Sequence, residues 1–242
     1  MPRIKAPKLT IAQEIEKRLE DEILQGQIQP GEKLPSEKEL FHRYKVSRTV
    51  VREAIKMLSS RDLVTIRKGS GVYVNDPNSA HALKHMSMFY QLSFDRKSML
   101  QLMEVRHVIE PAVAGLCAQN RKNEDIRFLQ TNVEKFVNRD QSSDLLAELD
   151  VQFHSRIAKA CGNEILAHIL MPIFDQLPRI KTLIVQYVKD KDDTALDYHS
   201  RILQAIIAKD SEGATRFMRE HLDKAIRDTR FLADAIEKDR EN

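Results

Sequence analysis

The stretch from Pro35 to Leu58, "PSEKELFHRYKVSRTVVREAIKML", carries two helix signals separated by only a few residues, and that spacing constrains the fold more than any other feature of the chain. Ser36 with Glu39 three residues on is a capping box, so a helix starts there. A break at Lys45-Val46 precedes Ser47, which can cap a second helix. In that helix Val51, Ala54, Ile55 and Leu58 repeat at the i, i+3, i+4, i+7 spacing of one buried face, while Arg48, Thr49, Arg52 and Lys56 point elsewhere. Two short helices this close together have the spacing of a helix-turn-helix.

The flanks extend that unit. A helical pattern from about Ile11 to Gln25 leads into "GQIQPGEKLP", a turn with no room for a helix. After the helix pair, Val64 and Ile66 alternate with Thr65 and Arg67, "KGSG" supplies a tight turn, and Val72 and Val74 resume the alternation. This predicts a β-hairpin. A helix-turn-helix followed by a hairpin with a basic, glycine-rich tip is a winged helix, and the tip lets the backbone approach a phosphate or a minor groove. In such a unit the first residues of the second helix meet base edges, where a guanidinium reads guanine O6 and N7. Two arginines on an exposed helix face are, in isolation, more often simply solvated. The order of cap, helix, turn, helix and hairpin reverses that preference for Arg48 and Arg52. Charge agrees: Lys33 to Lys68 holds 10 Lys+Arg against 4 Asp+Glu, whereas everything after Asp76 holds 24 against 25. A local positive excess is the footprint of a polyanion site.

"GQIQPGEKLPSEKELFHRYKVSRTVVREAIKMLSSRDLVTIRKGSGVYV" resembles the DNA-binding half of the GntR family of bacterial transcription regulators, over residues 9 to 76. The resemblance implies that Lys38, Ser47, Arg48, Thr49 and Arg52 contact double-stranded operator DNA from the helices, and Lys68 and Gly69 from the wing. Asp62 stands where the family usually has glycine, and aspartate tolerates a left-handed turn moderately well.

Beyond residue 76 the pattern changes. With 42% hydrophobic and 31% charged residues in 242, the chain has enough apolar material for one large or two modest domains. No run of 18 apolar residues exists and "MPRIKAPKLT" lacks an apolar h-region, so the expectation is a cytoplasmic protein without membrane contact. Residues 1–76 are predicted to form the winged helix. Residues 77–95 read as a linker, with room for a short helix on the spacing of Leu83, Met86 and Tyr90. Residues 96–242, poor in glycine and without period-2 strands, predict about six helices near 97–119, 123–138, 142–161, 163–188, 192–209 and 211–237. The predicted fold class is therefore mainly α: an N-terminal winged helix-turn-helix with a small hairpin wing, then an all-α bundle. Cys117 and Cys161, lacking any C-x-x-C spacing, read as reduced packing residues.

Polar residues on apolar stripes are the informative part of this bundle. Leu146, Leu149, Phe153 and Ile157 mark one stripe, and Asp150 and His154 lie on it one turn apart. His199 shares a face with Ile202, Leu203 and Ile206, and His221 shares one with Phe217, Met218 and Ala225. A single inward histidine is usually a hydrogen-bonded core residue. An aspartate and three histidines aimed inward from three helices suit one divalent cation, since an unpaired buried carboxylate is costly. Zinc is the leading choice, with nickel, manganese and iron(II) left open by the spacing. An Asp-His network without metal is the alternative. Arg106 falls on or at the edge of a stripe of Leu102, Val105, Ile109 and Val113. It needs an anion there: either an internal partner such as Glu104, Glu110 or another helix, or a small carboxylate ligand.

"MEVRHVIEPAVAGLCA", "DVQFHSRIAKACGNEIL" and "YHSRILQAIIAKDSEGATRFMREHL" resemble the FCD effector domain of the FadR subfamily, over roughly residues 97 to 237. That resemblance implies an all-helical ligand-binding bundle, a homodimer, a metal on the residues matching Asp150, His154, His199 and His221, and carboxylate or sugar-acid effectors. The expected function is a sequence-specific transcription regulator whose operator affinity such a metabolite controls. No nucleophile or general base is placed beyond the metal residues, so a DNA-tethered metal-dependent hydrolase is the weaker expectation. An effector-free architectural DNA-binding protein is a third.

Overall fold

The computed structural model describes residues 9–76, 80–137, 142–187 and 194–241. They divide into two compact units between Ala82 and Leu83. Among the described residues the chain is mainly helical, with one two-stranded antiparallel sheet. Pro77, Asn78 and Ser79 of the expected linker lie outside the described residues, and α4 (Ala80–Leu92) follows them.

In the first unit α1 (Ile11–Leu24) starts at Thr10, whose hydroxyl accepts from Gln13 N while the Gln13 side chain accepts from Thr10 N at 2.8 Å. The capping box of Ser36 and Glu39 opens α2 (Glu37–Tyr44) as predicted, with Ser36 N donating to Glu39 Oε2 at 2.7 Å. Lys45, in left-handed backbone at φ 53°, ends α2, and Ser47 caps α3 (Arg48–Ser60). Val51, Ala54, Ile55 and Leu58 are buried together with Ile15, Leu19 and Leu40, so the helix-turn-helix owes its shape to one shared apolar seam.

The hairpin pairs β1 (Val64–Arg67) with β2 (Gly71–Val74), from Val64 opposite Val74 to Arg67 opposite Gly71. Gly71 sits at φ 134°, backbone that L side chains rarely adopt, so the backbone requires glycine; the Lys33 Cε that a Cβ would approach to 2.3 Å belongs to a flexible side chain that can move aside. The turn after α1 does more than reverse the chain. Leu34 N donates to Val72 O at 2.8 Å and Val74 N to Glu32 O at 2.9 Å, which lines this segment along β2. Asp62 adopts φ 56°, the left-handed state expected of it.

The second unit contains α4 from Leu83 onward and, among the described residues, seven further helices: α5 (Arg96–Asn120), α6 (Asn123–Val137), α7 (Ser143–Ala160), α8 (Glu164–Phe174), α9 (Leu177–Tyr187), α10 (Thr194–Ile207) and α11 (Ser211–Glu241). One more helix appears here than the sequence predicted, because residues 163–188 do not form a continuous helix. Pro172 and Pro178 lack the N–H groups that would bond two successive turns. Asp175 N and Gln176 N instead close a turn onto Met171 O and Ile173 O at 3.1 and 3.0 Å, and α9 restarts beyond it. Pro111, alone inside α5, is accommodated by a helix packed along its length. That packing is tightest at Gly115, where a Cβ would lie 2.5 Å from Thr215 Oγ1 of α11. Ser87 of α4 receives Gln176 Nε2 at 3.3 Å, tying the short helix to the α8–α9 turn.

The buried line along α5 differs from the predicted stripe. Met99, Leu102, Met103, Arg106, Glu110, Val113, Ala114 and Cys117 face inward, whereas Val105 is 38% exposed. Arg106 therefore sits on the buried face itself, the first of the two placements expected for it. Cys117 and Cys161 are buried and form no disulfide, and burial pushes the Cys117 thiol up to about 12. Among the described residues no helix is long and apolar enough to cross a membrane.

Candidate functional site

The first unit presents the residues expected to read DNA on an exposed surface. Ser47 Oγ accepts from Val50 N at 3.3 Å, which fixes where α3 begins, and Arg48, Thr49, Arg52 and Lys56 project away from the buried seam. Arg52 Nε donates to Glu37 Oε2 at 2.8 Å, bringing the start of α2, where Lys38 is exposed, to the first turns of α3. Both partners are well exposed, so this pair orients Arg52 more than it stabilises the fold. Lys68 and Gly69 lie at the hairpin tip, with Gly69 at φ 73° and open space around it. Beside the tip, Arg67 stacks over the Tyr73 ring at 4.4 Å, a second wing cation that sequence reading passed over.

In the second unit, folding converges the four inward polar residues. Asp150 and His154 stand one turn apart on α7, His199 on α10 and His221 on α11, and one donor atom from each lies within 4.8 Å of all the others. All four are buried. His154 Nε2 is 3.2 Å from His221 Nε2 and 3.9 Å from Asp150 Oδ1, which is itself 3.4 Å from His199 Nε2. Phe153 stacks on the His199 ring at 4.1 Å, and Phe136 meets its edge, which fixes that ring in a dry wall.

The protonation states suit a cation. Burial drives the His199 imidazole down to about 4 and the His221 imidazole well below its ordinary value, so both stay neutral with lone pairs available. Burial opposes ionisation of Asp150, but the Lys181 ammonium together with His199 and His154 outweighs it and holds the carboxyl well below the usual carboxylate range. Two neutral imidazoles and one carboxylate, with the His154 ring beside them, make up a donor set that a divalent metal can use. Both ring nitrogens of His199 are buried without a hydrogen-bond partner, and Asp150 Oδ1 makes no well-aligned bond to them. Those orphaned atoms are what a self-contained Asp-His network would have satisfied, so the residues fit a metal better than they fit one another.

Two further residues complete the surroundings. Glu110, one turn beyond Arg106 on α5, bonds Arg106 Nε through Oε1 and accepts from His154 Nδ1 through Oε2 at 2.5 Å. Burial raises the Glu110 carboxyl, but Arg106 and His154 overcome this and leave it below its ordinary range. A carboxylate on Nδ1 fixes the tautomer that turns the His154 Nε2 lone pair toward the other donors. Glu110 was legible only as a possible partner of Arg106; its bond to His154 spans 44 residues. The second residue is Lys181 on α9, with Nζ 2.5 Å from Asp150 Oδ1 and a side chain 31% exposed. No spacing in the sequence points to it. Arg106 has an internal partner, yet its Nη2 remains buried with none, and Nη1 reaches only Met103 Sδ at 3.8 Å.

Comparison with known proteins agrees with both halves. Residues 11–74 match the bacterial regulatory proteins of the gntR family, and residues 101–224 match the FCD domain. The Exu regulon transcriptional regulator of Escherichia coli K12 is 33% identical over 216 residues, 87% of this chain and 81% of that protein. The Uxu operon regulator of Haemophilus influenzae is 31% identical over 214 residues, 85% of this chain and 76% of that protein. Among solved structures, Streptococcus agalactiae GntR superposes with a TM-score of 0.68 at 27% identity, covering 90% of this chain and all of that one.

Proposed function

Since the chain belongs to the GntR family of DNA-binding transcription regulators, with an FCD domain behind its winged helix-turn-helix, we propose that it senses a small carboxylate or sugar acid at a divalent metal and adjusts its hold on operator DNA accordingly. One observation carries this reading: Asp150, His154, His199 and His221 bring four donor atoms within 4.8 Å of one another in a buried site that leaves His199 without any other partner. An ion held by these four would supply a Lewis-acidic position for a ligand oxygen. Glu110 orients His154, and the unpartnered Arg106 Nη2 is a buried group suited to a carboxylate oxygen.

A homodimer would present two α3 helices to a two-fold symmetric operator. Arg48 and Arg52 read base edges there, while Lys38, Ser47, Thr49, Lys68 and Gly69 hold phosphates and set register. Ligand changes DNA affinity only by binding two arrangements of the protein unequally. The relatives that regulate the Exu regulon and the Uxu operon support a regulator rather than an enzyme.

The test is thermal melting of metal-loaded and chelator-stripped protein against a panel of small carboxylates and sugar acids. Ligand at about 100 times its dissociation constant adds roughly 2.7 kcal/mol, or about 5–10 °C for a domain of this class. A selective shift that vanishes with the metal is expected. A shift that persists after stripping removes the metal from the mechanism, and no shift from any acid removes the effector.

A further inference from the structure

Asp150 has two oxygens, and the one that faces the histidines, Oδ1, is also the one that Lys181 occupies. His199 Nε2 lies 3.4 Å from Oδ1, His154 Nε2 3.9 Å, and Lys181 Nζ only 2.5 Å. A zinc ion bound to Oδ1 would sit about 2.0–2.2 Å from it. An ammonium at hydrogen-bond distance on the same oxygen then draws on the same carboxylate charge and places a like charge beside the ion, in a region where screening is poor. We propose that Lys181 is the resident cation of this carboxylate: ammonium and metal are alternative partners of Asp150 Oδ1, and metal entry expels Lys181 from the site. The inference rests on reading the four donors as a metal site.

Two features of the fold make the exchange workable. Asp150 is 1% exposed on α7, whereas the Lys181 side chain is 31% exposed on the short helix α9, so its flexible stem can withdraw the charged end toward water. Helix α9 also begins at the proline-marked break after α8 and packs on α7 and α11, the helices that carry Asp150, His154 and His221. Lys181 therefore keeps the buried carboxylate paired in the metal-free protein and sets a threshold for loading, since part of the metal's binding free energy is spent on removing it.

The experiment compares zinc affinity of the full-length, tag-free protein with that of Lys181→Met and Lys181→Arg, by competition with a chromophoric chelator. Melting of each is followed with and without zinc. Lys181→Met should bind zinc about ten- to a hundredfold more tightly, the range over which neighbours of metal ligands commonly act. Its metal-free form should melt lower than wild type and gain more on adding zinc, while Lys181→Arg stays near wild type. Wild type that binds zinc and Lys181→Met that binds it equally or more weakly would overturn the exchange while leaving the metal site intact. If neither protein binds zinc, the metal reading itself falls; if only Lys181→Met binds, the metal does not expel the lysine and the exchange is overturned while the four donors stand as a metal site. Should Lys181→Met fail to fold without metal, Lys181→Gln gives the same comparison.

Discussion

Replacing Glu110 by glutamine tests the electrostatic core of the second unit in a single step. Glu110 and Arg106 are each 2% exposed, and the carboxylate also accepts a hydrogen bond from His154 Nδ1 at 2.5 Å. The amide keeps the shape but removes the anion, so the Arg106 guanidinium, already short of a partner at Nη2, is left as an uncompensated buried charge. Breaking a buried pair on one side costs about 3–5 kcal/mol. At about 2–4 °C per kcal/mol for a domain of 150–250 residues, Glu110→Gln should melt about 6–20 °C lower in the metal-free state. Adding Arg106→Met removes the stranded charge, and the double variant should recover most of the loss. Metal binding separates the second role of Glu110. Without a carboxylate on Nδ1, zinc affinity should fall about 10- to 100-fold in Glu110→Gln, and the double variant should not restore it. Calorimetric melting gives the first result and chelator competition the second. A Glu110→Gln melting within 2 °C of wild type, or a double variant no more stable than the single one, would refute the reasoning.

Three other outcomes follow from the geometry. Arg52→Ala should leave stability within about 0.5 kcal/mol, because its pair with Glu37 is exposed, yet lose about 1–3 kcal/mol of discrimination between operator and random DNA by fluorescence anisotropy; equal weakening on both DNAs would reassign it to phosphate contact. Gly115→Ala should destabilise by about 1–3 kcal/mol in urea, since its Cβ would sit 2.5 Å from Thr215 Oγ1, and an unchanged midpoint would show that α5 and α11 part easily. His199 titrates near 4 when folded against an ordinary 6.5, so the unfolded chain binds more protons across that interval and metal-free stability falls as pH drops from about 6.5 to 4. A shift of that size is worth about 3 kcal/mol, with His221 acting in the same direction. Urea midpoints that rise on acidification to pH 5 would contradict it.

Much of this protein is written within one or two turns of chain. The Ser36–Glu39 box, the Ser47 cap, the stripe ending at Leu58 and the "KGSG" turn each act over four to eight residues, so winged helix and hairpin are readable before any packing is known. The inward faces of Asp150, His154, His199 and His221 are equally local, because helical periodicity alone turns them toward their stripes. Convergence is a different matter: that α7, α10 and α11 aim those faces at one point within 4.8 Å depends on how three helices cross. Tertiary structure also decided what periodicity misjudged. Two prolines six residues apart divide a segment read as one helix, while Pro111 is carried through α5 by its packing on α11. Val105 turns outward and Arg106 inward once the neighbours of α5 are in place. The contacts of Glu110 with His154 and of Lys181 with Asp150 are invisible in sequence for the same reason. A charge on a helix records which way it faces, but the partner that neutralises it belongs to another helix, and only packing in three dimensions chooses which one.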